Sequence, residues 1–228
     1  LVASETRMLT IYSDRHHRHH GTAELIDGTL QPCFEMPRRA DMILARVREV
    51  GLGEVVEPRA FGLDPVRRVH DAGFVDFLSR AWTDWTARGR TNDALPLVWP
   101  VPSVRHDRVP DHIDGRLGFY SSDAGVPITA GTWEAVQAGA DVALTGAAAI
   151  LDGAASAFAL CRPPGHHAAS AAMGGMRRDP PRSLAPVLDR QRARGQAQCN
   201  RHRRMRGERR RMRDQRHLQI LQRPQRRN

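Results

Sequence analysis

The run Ser156-Ala-Phe-Ala-Leu-Cys161, continued by Arg162-Pro-Pro-Gly-His-His167, decides the fold class of this 228-residue chain. Its first half is nearly all apolar and has the length of a strand, which is typical of a central parallel strand buried on both faces. Functional sites in parallel sheets lie just past the carboxyl ends of strands. The two histidines follow at that position, on a turn that prolines stiffen and a glycine reverses. The run therefore predicts a parallel sheet and a candidate site together.

Strand and helix patterns alternate through the rest of the chain before residue 176. Short β-prone runs predict strands at residues 9–13 and 53–57. Apolar residues at helical spacing predict three helices, at residues 37–51, 70–88 and 132–152. Residues 89–130 are rich in Pro, Gly and Asp, which predicts long surface loops. Strands that alternate with helices indicate an α/β fold with a parallel sheet.

The distribution of charge divides the chain into two unlike parts. The formal net charge is +10, and all 35 basic residues are arginine. Residues 176–228 hold 18 arginines against four acidic residues and have no aromatic residue, whereas residues 1–175 carry a net charge of −4. A segment so poor in large apolar groups cannot offset its own ordering entropy. We therefore predict a globular part over residues 8–175 and a disordered arginine-rich tail over residues 176–228.

Composition also excludes several classes of protein. The three cysteines are far apart and odd in number, which argues against a disulfide scaffold and favours a reducing, cytoplasmic location. No apolar run approaches the roughly 18 residues of a membrane helix, and the first residues lack the apolar core of a signal peptide. We expect a cytoplasmic protein with no membrane partner.

The tandem histidines His166 and His167 are a candidate acid–base pair. Histidine titrates near neutral pH, so one ring can act as a base while its neighbour supplies charge or a hydrogen bond. On the dipeptide alone, the alternative is a solvated turn with two incidental histidines. The position of the pair after a predicted strand favours the functional interpretation.

The segment Ala157-Phe-Ala-Leu-Cys-Arg-Pro-Pro-Gly-His-His-Ala168 resembles the tandem-histidine segment of the histone deacetylase-like superfamily, in its acetylpolyamine amidohydrolase branch. Further segments resemble that branch in the same order and cover roughly residues 8–175. They are Glu24-Leu-Ile-Asp-Gly28, Phe34-Glu-Met-Pro-Arg-Arg-Ala-Asp41, Val69-His-Asp-Ala-Gly73, Asp111-His-Ile-Asp-Gly115 and Ile128-Thr-Ala-Gly-Thr-Trp-Glu-Ala135.

The resemblance implies an arginase/deacetylase-like three-layer fold and zinc-dependent hydrolysis of an acetyl-amide, with a small cationic acetylated amine as substrate. It implies that His167 is the general base and that His166 is its electrostatic partner. Asp114 stands where the family places an acidic residue facing a cationic polyamine, although a plain Asp-Gly turn residue is equally compatible. Arg39 resembles the family's buried arginine beside an internal channel, and the alternative is a salt-bridged helix arginine.

The chain departs from the family after Gly175. The segments that carry the family's zinc ligands are not found, so we predict no metal ligands in this chain, no stoichiometric zinc, and an incomplete, inactive enzyme. The change in composition at this point suggests a frameshift, because GC-rich DNA read out of frame yields many arginine codons. In the tail, Cys199, His202, Asp214 and His217 lack the paired spacing of a zinc site.

Two expectations on binding complete the sequence-based predictions. The histidines at positions 16, 17, 19 and 20 are expected in a flexible, solvated loop, with capture of a stray metal as the alternative. The alternative to a deacetylase is a protein whose arginine tail binds nucleic acid or acidic surfaces by counterion release. The tail lacks aromatic residues for base stacking, so we expect no specific nucleic-acid partner. Long loops at residues 89–130 make a homodimer possible.

Overall fold

The computed structural model of the protein describes residues 8–101, 103, 105 and 107–174. In chain order, the strands of this part are β1 (Leu9–Ile11), β2 (Ala23–Ile26), β3 (Thr29–Pro32), β4 (Val55–Val56) and β5 (Ala157–Ala159). The α-helices are α1 (Arg38–Glu49), α2 (Asp64–Arg67), α3 (Ala72–Thr86), α4 (Ile113–Phe119) and α5 (Thr132–Leu151), and a 3-10 helix spans Asp14–Arg18. The predicted tail over residues 176–228 lies outside the described residues.

The predicted parallel sheet is confirmed. Strands β4, β1 and β5 lie side by side in that order, and both pairings are parallel. In the register, Thr10 of the middle strand pairs with Val55 on one side and Phe158 on the other. Within the described sheet, β1 is therefore the central strand and β5 an edge strand, contrary to the central position predicted for residues 156–161. All three residues of β5 are only partly buried, as an edge position requires.

Helices cover both faces of this sheet, which gives three layers. Successive strand residues point to opposite faces. A Cβ added at Gly146 of α5 would lie 3.5 Å from Cδ1 of Ile11, so α5 packs on the face to which Ile11 points. The next residue, Tyr12, clusters instead with Ala40 and Leu44 of α1. The sheet is therefore enclosed between α1 and α5, and the small residues of α5 permit its close approach.

The largest hydrophobic cluster lies beside the sheet rather than within it. Helix α3 supplies the apolar stripe predicted for residues 70–88, and Phe77 at its centre is fully buried. Helix α4 packs on that stripe through Leu117, which is also fully buried. The prediction of loops throughout residues 89–130 is wrong at α4. This seven-residue helix contains two glycines and shows too short an apolar period to be recognised.

Among the described residues, no helix has the length and apolarity of a membrane span. The three predicted long helices are confirmed, with ends shifted by one or two residues from the predicted bounds. Asp71 caps α3 by accepting a hydrogen bond from the Phe74 backbone N–H at 3.1 Å. That cap explains why α3 begins just after residue 71.

Candidate functional site

The candidate site lies at the edge of the sheet where β1 and β5 end. Because these strands are parallel neighbours, their carboxyl ends open on the same side. Strand β1 continues through Ser13 into the 3-10 helix, which carries the first histidines. Strand β5 continues into Arg162 and the tandem-histidine turn. Two histidine-bearing segments that are about 150 residues apart in the sequence are thereby brought to one edge.

Arg162 joins the two segments. Its side chain is buried, and its Nη1 donates hydrogen bonds to the carbonyl oxygens of His16 at 2.7 Å and His19 at 2.6 Å. Its Nε donates to Oε1 of Glu35 at 3.0 Å. Burial lowers the pKa of the Arg162 guanidinium, and the charge of Glu35 opposes that shift. The arginine therefore fixes the 3-10 helix against the end of β5.

The tandem histidines lie together, as the sequence predicts for neighbours on a tight turn. The ring centroids of His166 and His167 are 4.0 Å apart and their planes are tilted by 49°. His166 is exposed and His167 is partly buried. Nδ1 of His167 is buried and has no hydrogen-bond partner among the described residues. Buried polar atoms are normally paired with a protein group or an ordered water.

The first histidine segment forms a 3-10 helix that buries His16 and leaves His17 exposed, and beyond it His19 is buried and His20 exposed, which corrects the expectation of a flexible, solvated loop. His16 and His19 are each only 3% exposed. Nε2 of His16 lies 2.8 Å from the Tyr12 hydroxyl, and Nδ1 of His19 lies 2.9 Å from Oγ1 of Thr132. Burial and the nearby Arg162 lower the pKa of His19 to about 4. Burial, followed by the charge of His17, lowers the pKa of His16.

A group of potential metal ligands lies at the outer side of this segment. Nε2 of His17 is 3.0 Å from Oδ1 of Asp41, and Nε2 of His16 is 3.5 Å from the same oxygen. Among the described residues, these three side chains are the one group of three His, Cys, Asp or Glu ligands with metal-compatible spacing. The group contains neither His166 nor His167.

Asp114 is already engaged within the chain. It lies in the first turn of α4, where the guanidinium of Arg90 donates to both of its carboxylate oxygens. Arg90 also stacks on the ring of Trp85, with its central carbon 4.0 Å from the ring centroid. The hydrogen bonds from Arg90 lower the pKa of Asp114. A cationic ligand at Asp114 would therefore share this carboxylate with an internal arginine.

Arg39 is exposed in the first turn of α1, which differs from the buried position that the resemblance implied. The buried face of α1 contains Ala40, Leu44 and Val47. Each helical residue turns by roughly 100°, so Arg39 points away from this face. The buried arginine of the site is Arg162, which sequence reasoning missed. Its signal was a lone charge directly after an apolar strand.

The fold agrees with that of known proteins. Residues 33–176 match the family model of the histone deacetylase domain. Because the match spans more than half of the chain, the protein belongs to the histone deacetylase family. Within this family, its relatives are acetylpolyamine amidohydrolases.

The chain is 62% identical over 168 residues to acetylpolyamine amidohydrolase 2 of Pseudomonas aeruginosa. This alignment covers 74% of this chain and 48% of that relative. It is 43% identical over 168 residues to the acetylpolyamine amidohydrolase of Mycoplana ramosa, covering 74% and 49%. The crystal structure of an acetylpolyamine aminohydrolase from Burkholderia pseudomallei superposes with a TM-score of 0.68 at 32% identity, over 74% of this chain and 48% of that one. The predicted α/β fold class is thus confirmed, and the chain spans about half the length of the relatives it matches.

Proposed function

We propose that this chain is the N-terminal part of a deacetylase that hydrolyses the acetyl-amide bond of acetylpolyamines or related acetylated amines. The observation that carries the proposal is the tandem-histidine turn at the carboxyl end of a parallel strand, in a chain similar to enzymes named for that substrate class. The net charge of −4 over residues 1–175 supports a cationic substrate. The domain boundaries of this proposal are residues 8–175 for the deacetylase part and 176–228 for the tail.

His167 is the general base in this proposal. Its Nδ1 is buried, which leaves Nε2 as the nitrogen for the reacting groups. Nε2 takes one proton from a water molecule as the water oxygen bonds to the acyl carbon, and it passes that proton to the amine nitrogen as the C–N bond breaks. The products are acetate and the free amine. His166, with its ring centroid 4.0 Å away, supplies charge to the oxygen that becomes anionic.

Zinc is the metal that the resemblance implies, and its chemistry is to polarise the acyl oxygen and lower the pKa of a water. Catalytic zinc needs three protein ligands and an open position. The described residues offer no such group that includes either tandem histidine. They therefore do not fit a zinc ion at this turn, and no step here uses one. We propose that the chain alone is inactive for this reason.

The proposal also assigns roles outside the reacting groups to Asp114 and Arg39. Asp114 is the proposed carboxylate for a distal ammonium group of the substrate, which would share it with Arg90. Arg39 is the proposed channel arginine, and it would become covered only by parts of the protein beyond the described residues. Both assignments depend on the resemblance.

The test compares the full chain with a chimera in which residues 1–174 are joined to the C-terminal half of the Pseudomonas aeruginosa relative. We expect no release of acetate from acetylpolyamines by the full chain and measurable release by the chimera. In the chimera, His167→Asn should lower the rate by about 100- to 10,000-fold, since this is the usual contribution of a general base. His20→Asn, at an exposed histidine of the same protein, is the matched control.

Each arm can fail separately. Turnover by the full chain contradicts its proposed inactivity. A folded chimera that hydrolyses acetylpolyamines equally well with His167→Asn contradicts the assigned base. A folded chimera without any turnover contradicts the proposed function of this part.

A further inference from the structure

The group formed by His16, His17 and Asp41 is not used by the proposed hydrolysis, and its geometry fits a metal ion. The carboxylate oxygen of Asp41 lies 3.0 Å from Nε2 of His17 and 3.5 Å from Nε2 of His16. Tetrahedral zinc with bonds of about 2.0–2.1 Å separates its ligand atoms by about 3.4 Å. All three potential ligand atoms lie within 4.8 Å of one another. The two distances to the Asp41 oxygen are therefore near the separation that tetrahedral zinc requires.

A contact with the backbone orients the ring of His17 toward Asp41. Nδ1 of His17 lies 3.0 Å from the carbonyl oxygen of Asp14, which can only accept, so Nδ1 must donate. Nε2 faces the carboxylate of Asp41 at 3.0 Å, and in the imidazole that carries its N–H on Nδ1 alone this nitrogen presents a lone pair. Two acceptors at that distance repel unless a proton or a metal ion lies between them. Histidines that ligate metals typically donate their second nitrogen to a backbone carbonyl in this way.

His16 is held in place by its surroundings. It is only 3% exposed, and Arg162 donates to its backbone carbonyl at 2.7 Å. Its Nε2 contacts the Tyr12 hydroxyl at 2.8 Å. A hydroxyl hydrogen rotates about its C–O bond, so it can turn away and leave the lone pair of Nε2 to a ligand. A ligand fixed by its backbone and ring contacts loses little conformational entropy on binding.

We propose that His16, His17 and Asp41 form a zinc-binding site with two imidazole nitrogens, one carboxylate oxygen and a fourth position open to water. The mixed nitrogen and oxygen donors favour zinc over magnesium or calcium, which prefer oxygen alone. The site connects the 3-10 helix after β1 to helix α1. It is separate from the tandem-histidine turn, so it stands or falls independently of the proposed deacetylase function.

The experiment titrates Zn²⁺ into the full chain after chelator treatment, with a chromophoric chelator as competitor. Co²⁺ binding serves as a spectroscopic readout, because tetrahedral cobalt gives intense visible absorption bands. We expect one zinc equivalent to bind through these residues and to raise the melting temperature by on the order of 5 °C. Co²⁺ should give the tetrahedral bands at the same stoichiometry.

The variants are chosen at exposed ligands so that folding is preserved. The side chains of His17 and Asp41 are 45% and 43% exposed. His17→Asn and Asp41→Asn should each weaken binding by at least about tenfold and remove the cobalt bands. His20→Asn, an exposed histidine three residues further along, is the matched control and also accounts for background binding by the tail. Unchanged affinity in His17→Asn and Asp41→Asn, or an equal loss in His20→Asn, overturns the proposal.

Discussion

Two pairs of adjacent histidines follow neighbouring parallel strands, and they differ in how completely the chain supports them. The ring centroids are 3.9 Å apart in His16–His17 and 4.0 Å apart in His166–His167. His16 and His17 have partners in Tyr12, Asp14 and Asp41. In the second pair, one ring is exposed and the other has a buried Nδ1 without a partner among the described residues. Nδ1 of His16 is also buried without a partner among the described residues. The pairs therefore differ in their remaining contacts: the first pair has hydrogen-bond and ion-pair partners in this part of the chain, whereas the described residues offer His166 and His167 none.

The two pairs differ in which parts of the chain supply their hydrogen-bond partners. The first pair draws its contacts from the 3-10 helix, from α1 and from Arg162, all within the described residues. For the second pair, the described residues supply no hydrogen-bond partner. Arg162 links the two segments, because it lies between β5 and the tandem-histidine turn in the sequence and its side chain binds the backbone of the first segment.

The largest expected effect comes from breaking that connection. Arg162→Met leaves the carbonyl oxygens of His16 and His19 and the carboxylate of Glu35 without their buried donor. Removing one partner of a buried ion pair costs about 3–5 kcal/mol, so we expect a loss of that size in the free energy of unfolding measured with urea. Arg39→Met is the matched control at an exposed arginine and should change stability by less than about 0.5 kcal/mol. Equal losses in the two variants would contradict the central role of Arg162.

The next effect is a pH dependence to which His19 of the first segment contributes, together with His16 and with His70, whose pKa values burial also lowers. Burial lowers the pKa of His19 to about 4 from an ordinary value of 6.5. Between these values the unfolded chain binds more protons than the folded chain, so acidification destabilises the fold. The contribution of His19 to stability should be full above pH 6.5 and should decline toward pH 4 by up to about 1.4 kcal/mol per pH unit.

Urea unfolding at several pH values, in the presence of a chelator, measures this dependence. His19→Asn should reduce the slope over this window and leave the contributions of His16 and His70, because an Asn side chain does not titrate and can still hydrogen-bond to Thr132. His20→Asn, at an exposed neighbour, should leave the slope unchanged. An unchanged slope in His19→Asn assigns the dependence to other groups.

The sequence predicts the structural features that depend on neighbouring residues, and it does not predict those that depend on contacts between residues far apart in the sequence. The strands at residues 9–13 and 156–161 and the stripe of α3 are local patterns, and the sequence predicts them correctly. Burial of His19 is set by Thr132, which is 113 residues away, and by Arg162. No local sequence pattern indicates these long-range contacts. A polar, histidine-rich run alone therefore predicts a solvated loop.

For Arg39 and Arg162, local sequence patterns indicate more about burial than the family resemblance does. The helical spacing of the buried residues in α1 already turns Arg39 away from the core, against what the resemblance implies. Arg162 stands alone between an apolar strand and a proline turn, which is an unusual place for an unpaired charge. Its partner Glu35 lies 127 residues earlier, and only the fold brings the two together.

The smallest effects on stability come from removing one imidazole from each pair. The difference between the two stability changes tests whether the pairs have different roles. His16→Leu deletes a buried ring that contacts the Tyr12 hydroxyl and leaves that hydroxyl with one partner fewer. A lost buried hydrogen bond of this kind costs about 1–3 kcal/mol. Thermal or urea unfolding of the full chain should show a loss in this range.

His167→Leu should change the stability of the full chain by less than about 0.5 kcal/mol, because it removes a buried nitrogen that has no partner to lose. The same substitution in the chimera with the C-terminal half of the relative should abolish acetylpolyamine hydrolysis. A residue that is neutral for folding here and indispensable for turnover there belongs to a site completed by other parts of the protein. If His167→Leu instead destabilises the full chain as much as His16→Leu does, the tandem pair is a structural element of this half, and the distinction between the two pairs is lost.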